Sequence, residues 1–353
     1  MTRIETIQSK LRENDLDAFL AFSEVNVRYI SRFPITDGAA LVTRSGAWLV
    51  TDSRYIEAAR EEAVDVEVVL FDNAHPLEQR LKELLGGAKA VGAEEKSLAY
   101  DSWNETEKDL GLSLTPAEKL LLDLRAVKDP EEIEYLVKAQ RIAEEALPEV
   151  LKIIRPGVRE RDIAAELTYR MLLLGGEGNS FDPITITGPN TSKPHGVPGD
   201  AVVRDGDFVT LDFGTIWKGY HSDMTRTVAV GHATEEMRKV YDTVLRAQLA
   251  GIAAARAGVT GAEVHNAGAK VIADAGYGPY FGHGFGHSVG LEIHEDPRAS
   301  TKGTAPLPAG AVVTAEPGIY LPGRFGVRIE DMMWIREDGV ENLTKAPKEL
   351  IIL

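Results

Sequence analysis

The chain has 353 residues, is 44% hydrophobic and 27% charged, and carries a formal net charge of -16 at pH 7. This length exceeds a single hydrophobic core, so we expect two domains. The acidic balance excludes nucleic acid and anionic membranes as partners, because both bind basic surfaces. The absence of cysteine leaves only oxygen and imidazole as metal ligands. A polar start and the lack of any run of ~20 apolar residues predict a cytoplasmic protein.

Residues 1–126 alternate short β-rich segments with helical patterns. The segments DAFLAF, AALVT, AWLVT, VEVVLF and AVGAE are typical of strands, and an amphipathic helical pattern begins at Arg54. This alternation predicts a small α/β domain. Because it clusters few residue types that do chemistry, we expect it to act as a scaffold, a dimer contact or a lid.

A second domain is expected from residue 127 to residue 353. Asp129 fits a helix N-cap, Pro130 the first turn and Glu132 the third position of a capping box, so a long helix should begin there. Further along, Arg155-Pro156-Gly157-Val158 aligns with Arg256-Ala257-Gly258-Val259. This faint repeat predicts an α+β domain built from two similar halves related by a pseudo-twofold axis.

The segment VTLDFGTIWKGYHSDMTRTVAV predicts a hairpin that turns at Trp217-Lys218-Gly219. A hairpin centred there places Asp212 opposite Asp223. Directly opposed carboxylates repel each other unless a cation or a proton lies between them. Either the register is broken or something positive is bound.

A second hairpin is predicted in AVVTAEPGIYLPGRFGVRIEDMMWI, where Glu316 and Glu330 are symmetric about Gly323. Pro317 cannot donate to a strand ladder and should end the strand at Glu316. A single acidic residue is usually a solvated surface group. Two pairs of acidic residues, placed alike in two predicted hairpins, instead indicate a metal site.

Three of the eight histidines fall in YFGHGFGHSVGLEIHE. Glycines between His283 and His287 disfavour a helical zinc motif, so we expect a glycine-rich loop or strand there, and a turn with incidental histidines is the alternative. The stretch Gly286–Gly290 also matches the G-x-S-x-G elbow of serine hydrolases around Ser288. The last histidine, His294, follows too early for that catalytic order, which disfavours a serine hydrolase.

Charge balance favours two divalent cations for four carboxylates. Oxygen ligands with one imidazole suit Mn²⁺, with Co²⁺ or Zn²⁺ as alternatives. Two such ions can activate water for hydrolysis of an amide bond.

The motifs LDFG, HSDMTRT, GHGFGHSVGLEIHE, EPGIY and VRIED resemble those of the pita-bread metallopeptidases, in particular the prolidase and aminopeptidase P group. The resemblance spans residues 127–353, and the preceding α/β segment resembles the amino-terminal domain of the Xaa-Pro enzymes. It implies the pita-bread fold, a homodimer and a peptide substrate with proline at its second position.

The resemblance also assigns roles to particular residues. The family's metal ligands fall on Asp212, Asp223, His287, Glu316 and Glu330. It implies catalytic roles for Glu316 as general base and for His294, His283 and His195, the last two also as substrate contacts. It further implies that Arg298, Tyr320 and Arg328 bind substrate.

The predicted activity is hydrolysis of Xaa-Pro dipeptides, because Arg298 resembles an arginine that binds the dipeptide carboxylate in some prolidases. Aminopeptidase P, acting on longer Xaa-Pro peptides, is the first alternative. Metal-free creatinase-type enzymes and a non-catalytic peptide-binding module on the same fold are others, and the intact ligand set counts against both. Arg44 and Arg54 in the amino-terminal domain are weaker candidates for the carboxylate-binding arginine.

Overall fold

The protein is described from a computed structural model that covers residues 1–353. The chain folds into two compact units, Met1–Arg125 and Ala126–Leu353. No helix in either unit combines the length and the apolar character needed to cross a bilayer.

The first unit is a mixed six-stranded sheet with helices. Its strands are β1 (Ala18–Ala21), β2 (Gly38–Thr43), β3 (Ala47–Thr51), β4 (Glu67–Leu70), β5 (Val91–Ala93) and β6 (Leu114–Pro116). Its helices are α1 (Arg3–Glu13), α2 (Glu24–Ser31), α3 (Ile56–Glu62), α4 (Leu77–Leu85), α5 (Tyr100–Leu110) and α6 (Lys119–Ala126). The strand order is β4-β3-β2-β1-β5-β6. All five predicted strands form, and the α/β expectation is confirmed; β6 was not predicted, and neither were α1, α2, α5 and α6.

The second unit contains four long helices and two short 3₁₀ helices. The long helices are α7 (Pro130–Leu151), α8 (Glu160–Leu173), α9 (Glu235–Ala254) and α10 (Gly261–Asp274). The 3₁₀ helices span Gly188–Ser192 and Gly278–Tyr280. Helix α7 begins with the predicted capping box: the Glu132 N–H donates to Asp129 Oδ1 at 2.9 Å, and the Asp129 N–H donates to Glu132 Oε2 at 2.8 Å.

Twelve strands complete the second unit. They are β7 (Ile184–Thr187), β8 (Phe208–Phe213), β9 (Ile216–Trp217), β10 (Tyr220–His221), β11 (Met224–Ala229), β12 (Gly286–Ser288), β13 (Glu295–Ala299), β14 (Val312–Ala315), β15 (Gly318–Leu321), β16 (Phe325–Arg328), β17 (Asp331–Ile335) and β18 (Val340–Asn342). Two sheets have the orders β11-β8-β7 and β13-β12-β14-β17-β18, and β9–β10 and β15–β16 are separate hairpins.

The second unit repeats one plan twice: a helix pair is followed by three strands in the same spatial order, β7-β8-β11 and then β12-β14-β17. Gly157 and Gly258, which begin the matching loops, have φ angles of 92° and 82°. Their N–H groups donate to Val203 and Leu307, each in the loop that precedes its half's central strand. The two halves confirm the repeat inferred from the sequence.

The first hairpin has a different register from the predicted one. Its turn is Lys218-Gly219, with φ of 51° and 81°, and it pairs Asp212 with Thr225, not with Asp223. The turn lies one residue later than predicted, which moves every partner by two positions. A shift of two keeps a side chain on the same face of the sheet, so Asp212 and Asp223 are diagonal neighbours on one face.

The second hairpin is centred on Gly323 as predicted. Ala315 pairs with Asp331 in one ladder and Gly318 pairs with Arg328 in the next. Glu316 and Glu330 therefore face each other in the gap between the two ladders. Strand β14 ends immediately before Glu316, because the proline that follows cannot donate to a ladder.

Candidate active site

The five candidate metal ligands line one cleft of about 640 Å³ in the second unit. They lie where strands of the two halves end: Asp212 at the end of β8, Asp223 before β11, His287 on β12, Glu316 after β14 and Glu330 before β17. Ligand atoms of Asp223, His287 and Glu330 all lie within 4.8 Å of one another. His287 Nε2 is 3.6 Å from Asp223 Oδ2 and 3.5 Å from Glu316 Oε1.

The hydrogen bonds of these residues fit a bound cation. Asp212 Oδ1 and Asp223 Oδ1 are buried without a partner, although buried polar atoms are nearly always satisfied. His287 Nδ1 donates to the Ser288 carbonyl at 3.2 Å, which leaves the lone pair of Nε2 directed at the carboxylates. A set of hard oxygens and one imidazole lone pair suits a first-row divalent ion.

Burial and mutual repulsion shift the titration of these groups in the protein alone. Burial, and then the neighbouring carboxylates, raise the pKa values of Asp223 and Glu330 well above the usual range. Burial raises the pKa of Glu316 to about 7 and lowers that of His287 to about 3. A nearby cation stabilises the ionised form of each carboxylate. The raised pKa values of the clustered carboxyl groups therefore favour binding of a metal ion at this site.

Two threonines support the candidate ligands. Thr225 Oγ1 donates to Glu330 Oε2 at 2.7 Å and accepts from Arg328 Nε at 3.1 Å. Thr314 Oγ1 donates to Glu316 Oε1 at 3.4 Å and accepts from the His287 N–H at 3.1 Å. Neither threonine was predicted from the sequence. Thr225 lies two residues after Asp223 on the same strand face, but nothing in the residue itself sets it apart from other strand threonines.

Arg328 is buried and fully engaged inside the protein. Its Nη2 donates to Asp212 Oδ2 at 2.5 Å, and its Nη1 donates to the Tyr320 hydroxyl at 2.8 Å and to the Pro194 carbonyl at 3.3 Å. Tyr320 Oη is 3.0 Å from His283 Nε2 and does not line the cleft. The two residues predicted to bind substrate are thus placed to orient Asp212 and His283.

The three candidate catalytic histidines also line the cleft. His283 Nδ1 donates to the Gly284 carbonyl at 2.8 Å, and burial lowers its pKa to about 4, so the ring is neutral. The His294 ring lies 4.4 Å from that of His287, centroid to centroid, and burial lowers its pKa. His195 is exposed, in the loop that follows β7.

Arg298 is the cationic candidate with an accessible guanidinium. It lines the cleft from β13, its side chain is 55% exposed, and its nearest ion-pair partner is Asp296 at 3.6 Å. Lys302 lines the same side and was not predicted. Arg44 donates to the Leu16 carbonyl at 2.7 Å, and Arg54 pairs with carboxylates of the first unit.

Ser288 is not placed as a nucleophile. Its side chain is completely buried, and Oγ donates to the Val312 carbonyl at 2.6 Å. Lys128 Nζ donates to the same hydroxyl at 3.3 Å and to Glu295 Oε2 at 2.9 Å. A hydroxyl bound in this way cannot reach a substrate, which removes the serine-hydrolase alternative.

Comparison with known proteins gives consistent matches along the chain. A family model described as the creatinase/prolidase N-terminal domain matches residues 3–127, and one described as metallopeptidase family M24 matches residues 134–337. An Xaa-Pro dipeptidase of Pyrococcus furiosus is 38% identical, with 99% of each chain covered. The solved structure of an Xaa-Pro dipeptidase from Bacillus anthracis is 40% identical over 99% of both chains, with a TM-score of 0.95. That of an X-Pro aminopeptidase from Thermotoga maritima is 35% identical, covers 98% of this chain and 100% of its own, and has a TM-score of 0.93.

Proposed function

This chain belongs to metallopeptidase family M24, and on that basis we propose that it hydrolyses the Xaa-Pro bond of dipeptides with two divalent metal ions. The proposed ligands are Asp212, Asp223, His287, Glu316 and Glu330. The observation that carries the proposal is their convergence in one cleft, where two buried aspartate oxygens have no hydrogen-bond partner. Relatives of the same length named Xaa-Pro dipeptidases support the substrate class.

Two cations bound by this set would supply the positive charge that activates water and stabilises negative charge on the scissile carbonyl. Mn²⁺ is the proposed metal, and Co²⁺ or Zn²⁺ could replace it in the same donor set. Glu316 is proposed to accept the proton of the attacking water as general base, because its carboxylate faces the other ligands across the cleft. A buried, low-dielectric site strengthens each of these electrostatic interactions.

The neighbouring side chains are proposed to orient the substrate. His294 lies against His287 and is proposed to donate a hydrogen bond to the reacting carbonyl, and His195 lines the cleft from its loop. The Arg328–Tyr320–His283 chain holds the His283 ring in one neutral tautomer, with Nδ1–H toward Gly284 and Nε2 accepting from the tyrosine. These three histidines would shape the proline pocket.

Preference for dipeptides is proposed from the charges on the cleft wall. Arg298 and Lys302 are the exposed cationic groups that line it. A dipeptide ends at its proline, so its carboxylate can accept a bidentate, charge-assisted pair from a guanidinium. A longer peptide has a neutral amide group in place of the proline carboxylate, so it cannot form this ion pair with the guanidinium.

Aminopeptidase P activity on longer peptides is the second candidate, favoured by the similarity to the X-Pro aminopeptidase of Thermotoga maritima. Product analysis on Gly-Pro, Ala-Pro and Ala-Pro-Gly with added Mn²⁺ tests both. Faster cleavage of Ala-Pro than of Ala-Pro-Gly supports the dipeptidase; the opposite order supports the aminopeptidase. If none of the three peptides is cleaved, both enzyme candidates fail and a non-catalytic peptide-binding module is the remaining alternative.

A homodimer and a cytoplasmic location are proposed from the sequence. Sedimentation of the purified protein tests the first and cell fractionation the second.

A further inference from the structure

We infer that Glu160 is a positioning residue, which fixes the loop that carries His195 into the cleft. The loop, Gly188–Pro198, links β7 to the segment before β8, and of its residues Pro194 and His195 line the cleft. The inference rests on the proposed function, because the loop matters for catalysis only if the cleft binds a peptide. Glu160 does not line the cleft and was not singled out by the sequence.

The Glu160 side chain is 1% exposed and holds both ends of the loop. Its Oε1 accepts from the Thr187 N–H at 2.8 Å and from Asn190 Nδ2 at 2.9 Å, before the histidine. Its Oε2 accepts from the Gly199 N–H at 2.9 Å, after the histidine. One carboxyl group therefore closes the loop with three hydrogen bonds, and each oxygen acts only as an acceptor.

Two contacts fix the tip of the loop against the catalytic residues. The Gly326 N–H donates to Thr191 Oγ1 at 2.8 Å, and Arg328 Nη1 donates to the Pro194 carbonyl at 3.3 Å. Beyond its 3₁₀ turn the loop has no regular secondary structure. Its placement against the rest of the unit therefore relies on these two contacts and on the bonds to Glu160, while turn hydrogen bonds such as Thr191 Oγ1 to the Gly188 carbonyl shape it internally.

The internal repeat shows that the fold does not require this glutamate. Helix α8 begins at Glu160, and the matching helix α10 begins at Gly261. The backbone contact recurs, since the Arg161 N–H donates to Gly199 in one half and the Ala262 N–H donates to Gly303 in the other. The second half's loop after β12 also brings a histidine, His294, to the cleft, but it continues into strand β13, which is paired with β12. The first half's loop has no such strand, and there Glu160 supplies the anchor.

The isosteric substitution Glu160→Gln tests the role. An amide group keeps the volume and one acceptor but places an NH₂ against a backbone or side-chain N–H, so one anchor becomes repulsive. Asp162→Asn is the matched control, because Asp162 lies in the same helical turn, has a side chain that is 43% exposed and pairs with Arg159. We expect Glu160→Gln to lower kcat/KM for Ala-Pro by about ten- to a hundredfold with metal content unchanged.

Hydrogen exchange provides a readout that does not depend on activity. Amide exchange in residues 190–199 should accelerate in Glu160→Gln and not in Asp162→Asn, while exchange in the body of α8 stays as in the wild type. Unchanged loop exchange would overturn the inference. If exchange accelerates as expected but the wild type cleaves no Xaa-Pro peptide, only the proposed function has failed. If Glu160→Gln does not fold, Asn190→Ala removes one anchor and should raise exchange in the loop alone, and no rise would count against the role.

A double-mutant cycle separates positioning from general stability. If Glu160 acts through His195, then Glu160→Gln should change kcat/KM by less than about twofold in a His195→Ala background. A full additional loss in that background would show that the glutamate acts elsewhere and would overturn the inference.

Discussion

Thr225 and Glu330 are joined by a 2.7 Å hydrogen bond although they belong to different halves of the catalytic unit. The same hydroxyl accepts from Arg328 Nε. Thr225 is also the strand partner of Asp212. One threonine therefore connects two of the proposed metal ligands, one from each half, through its side chain and its backbone.

Thr225→Val should lower metal affinity by about ten- to a hundredfold, as loss of an outer hydrogen bond to a ligand typically does. The valine keeps the shape but leaves Glu330 Oε2 without its donor. Isothermal titration with Mn²⁺ measures the change, and Thr225→Ser, which restores the hydroxyl, is the control. Equal affinities for all three proteins would contradict the supporting role of the hydroxyl.

Dialysis against a strong chelator should abolish peptidase activity, and Mn²⁺ or Co²⁺ should restore it with about two ions per chain. The reason is that four carboxylates and one imidazole converge beside a single buried cation, Arg328, while the other cationic groups of the cleft, Arg298 and Lys302, are exposed. Elemental analysis with parallel assays checks the stoichiometry. Full activity in a metal-free sample would disprove the mechanism.

Asp223→Asn and Glu330→Gln should each remove activity and weaken metal binding, yet raise the thermal stability of the metal-free protein. Each change replaces a buried carboxyl group, whose ionisation beside the neighbouring carboxylates is unfavourable, by a neutral amide of the same shape. Calorimetry after chelation measures the effect. Ser288→Ala is the comparison: it loses one buried hydrogen bond and should retain activity, since Ser288 does not face the cleft.

The metal-free protein should become less stable as the pH rises through about 7, the raised pKa of Glu316. Asp223, Glu316 and Glu330 have raised pKa values, so the folded state holds protons that the unfolded chain has lost, and stability falls as pH rises through the folded values. His283 and His287, with pKa values of about 4 and 3, act in the opposite direction and are neutral in both states above about pH 7.

Thermal unfolding of chelated protein on either side of this pH measures the slope. Glu330→Gln should flatten it, and saturating Mn²⁺ should remove it because metal binds the ionised carboxylates. A melting temperature that rises with pH in the chelated wild type would refute the assignment of repelling buried carboxylates.

Arg298→Ala should raise KM for Ala-Pro by the equivalent of about 1.5–3 kcal/mol, the value typical of a hydrogen bond to a charged group. Cleavage of Ala-Pro-Gly should hold or improve. Steady-state kinetics on both peptides measures the difference, and Arg324→Ala, which changes an exposed arginine paired with Glu236 away from the cleft, is the control. Equal losses on both peptides would argue against recognition of the free carboxylate.

The hairpins show what sequence could predict of this site and what it could not. The β-rich runs on either side of a turn predicted both hairpins. Pro317 and Gly323 correctly predicted where the strand ends and where the second hairpin is centred. In the first, three residues were candidates for the turn, and only the backbone shows that Lys218 and Gly219 both take positive φ. Because strand registers that differ by two residues bury the same face, the hydrophobic pattern could not decide between them.

The supporting residues escaped prediction for a different reason. Thr225 and Glu160 owe their importance to partners that are distant in the chain, such as Glu330 and Gly199. A threonine in a strand and a glutamate in the first turn of a helix are ordinary residues in those places. Nothing local distinguishes them until the fold brings their partners close.

The contribution of both halves to one metal centre has a consequence for biosynthesis. Cations bound by Asp212 and Glu330 would link the two halves, because neither half contains all of the proposed ligands. Glu330 is the last of the five proposed ligands in chain order, so a polypeptide leaving the ribosome cannot present the full set until Glu330 has emerged. Metal uptake would then mark chains that extend past this residue, and products that stop before it would remain without the ions.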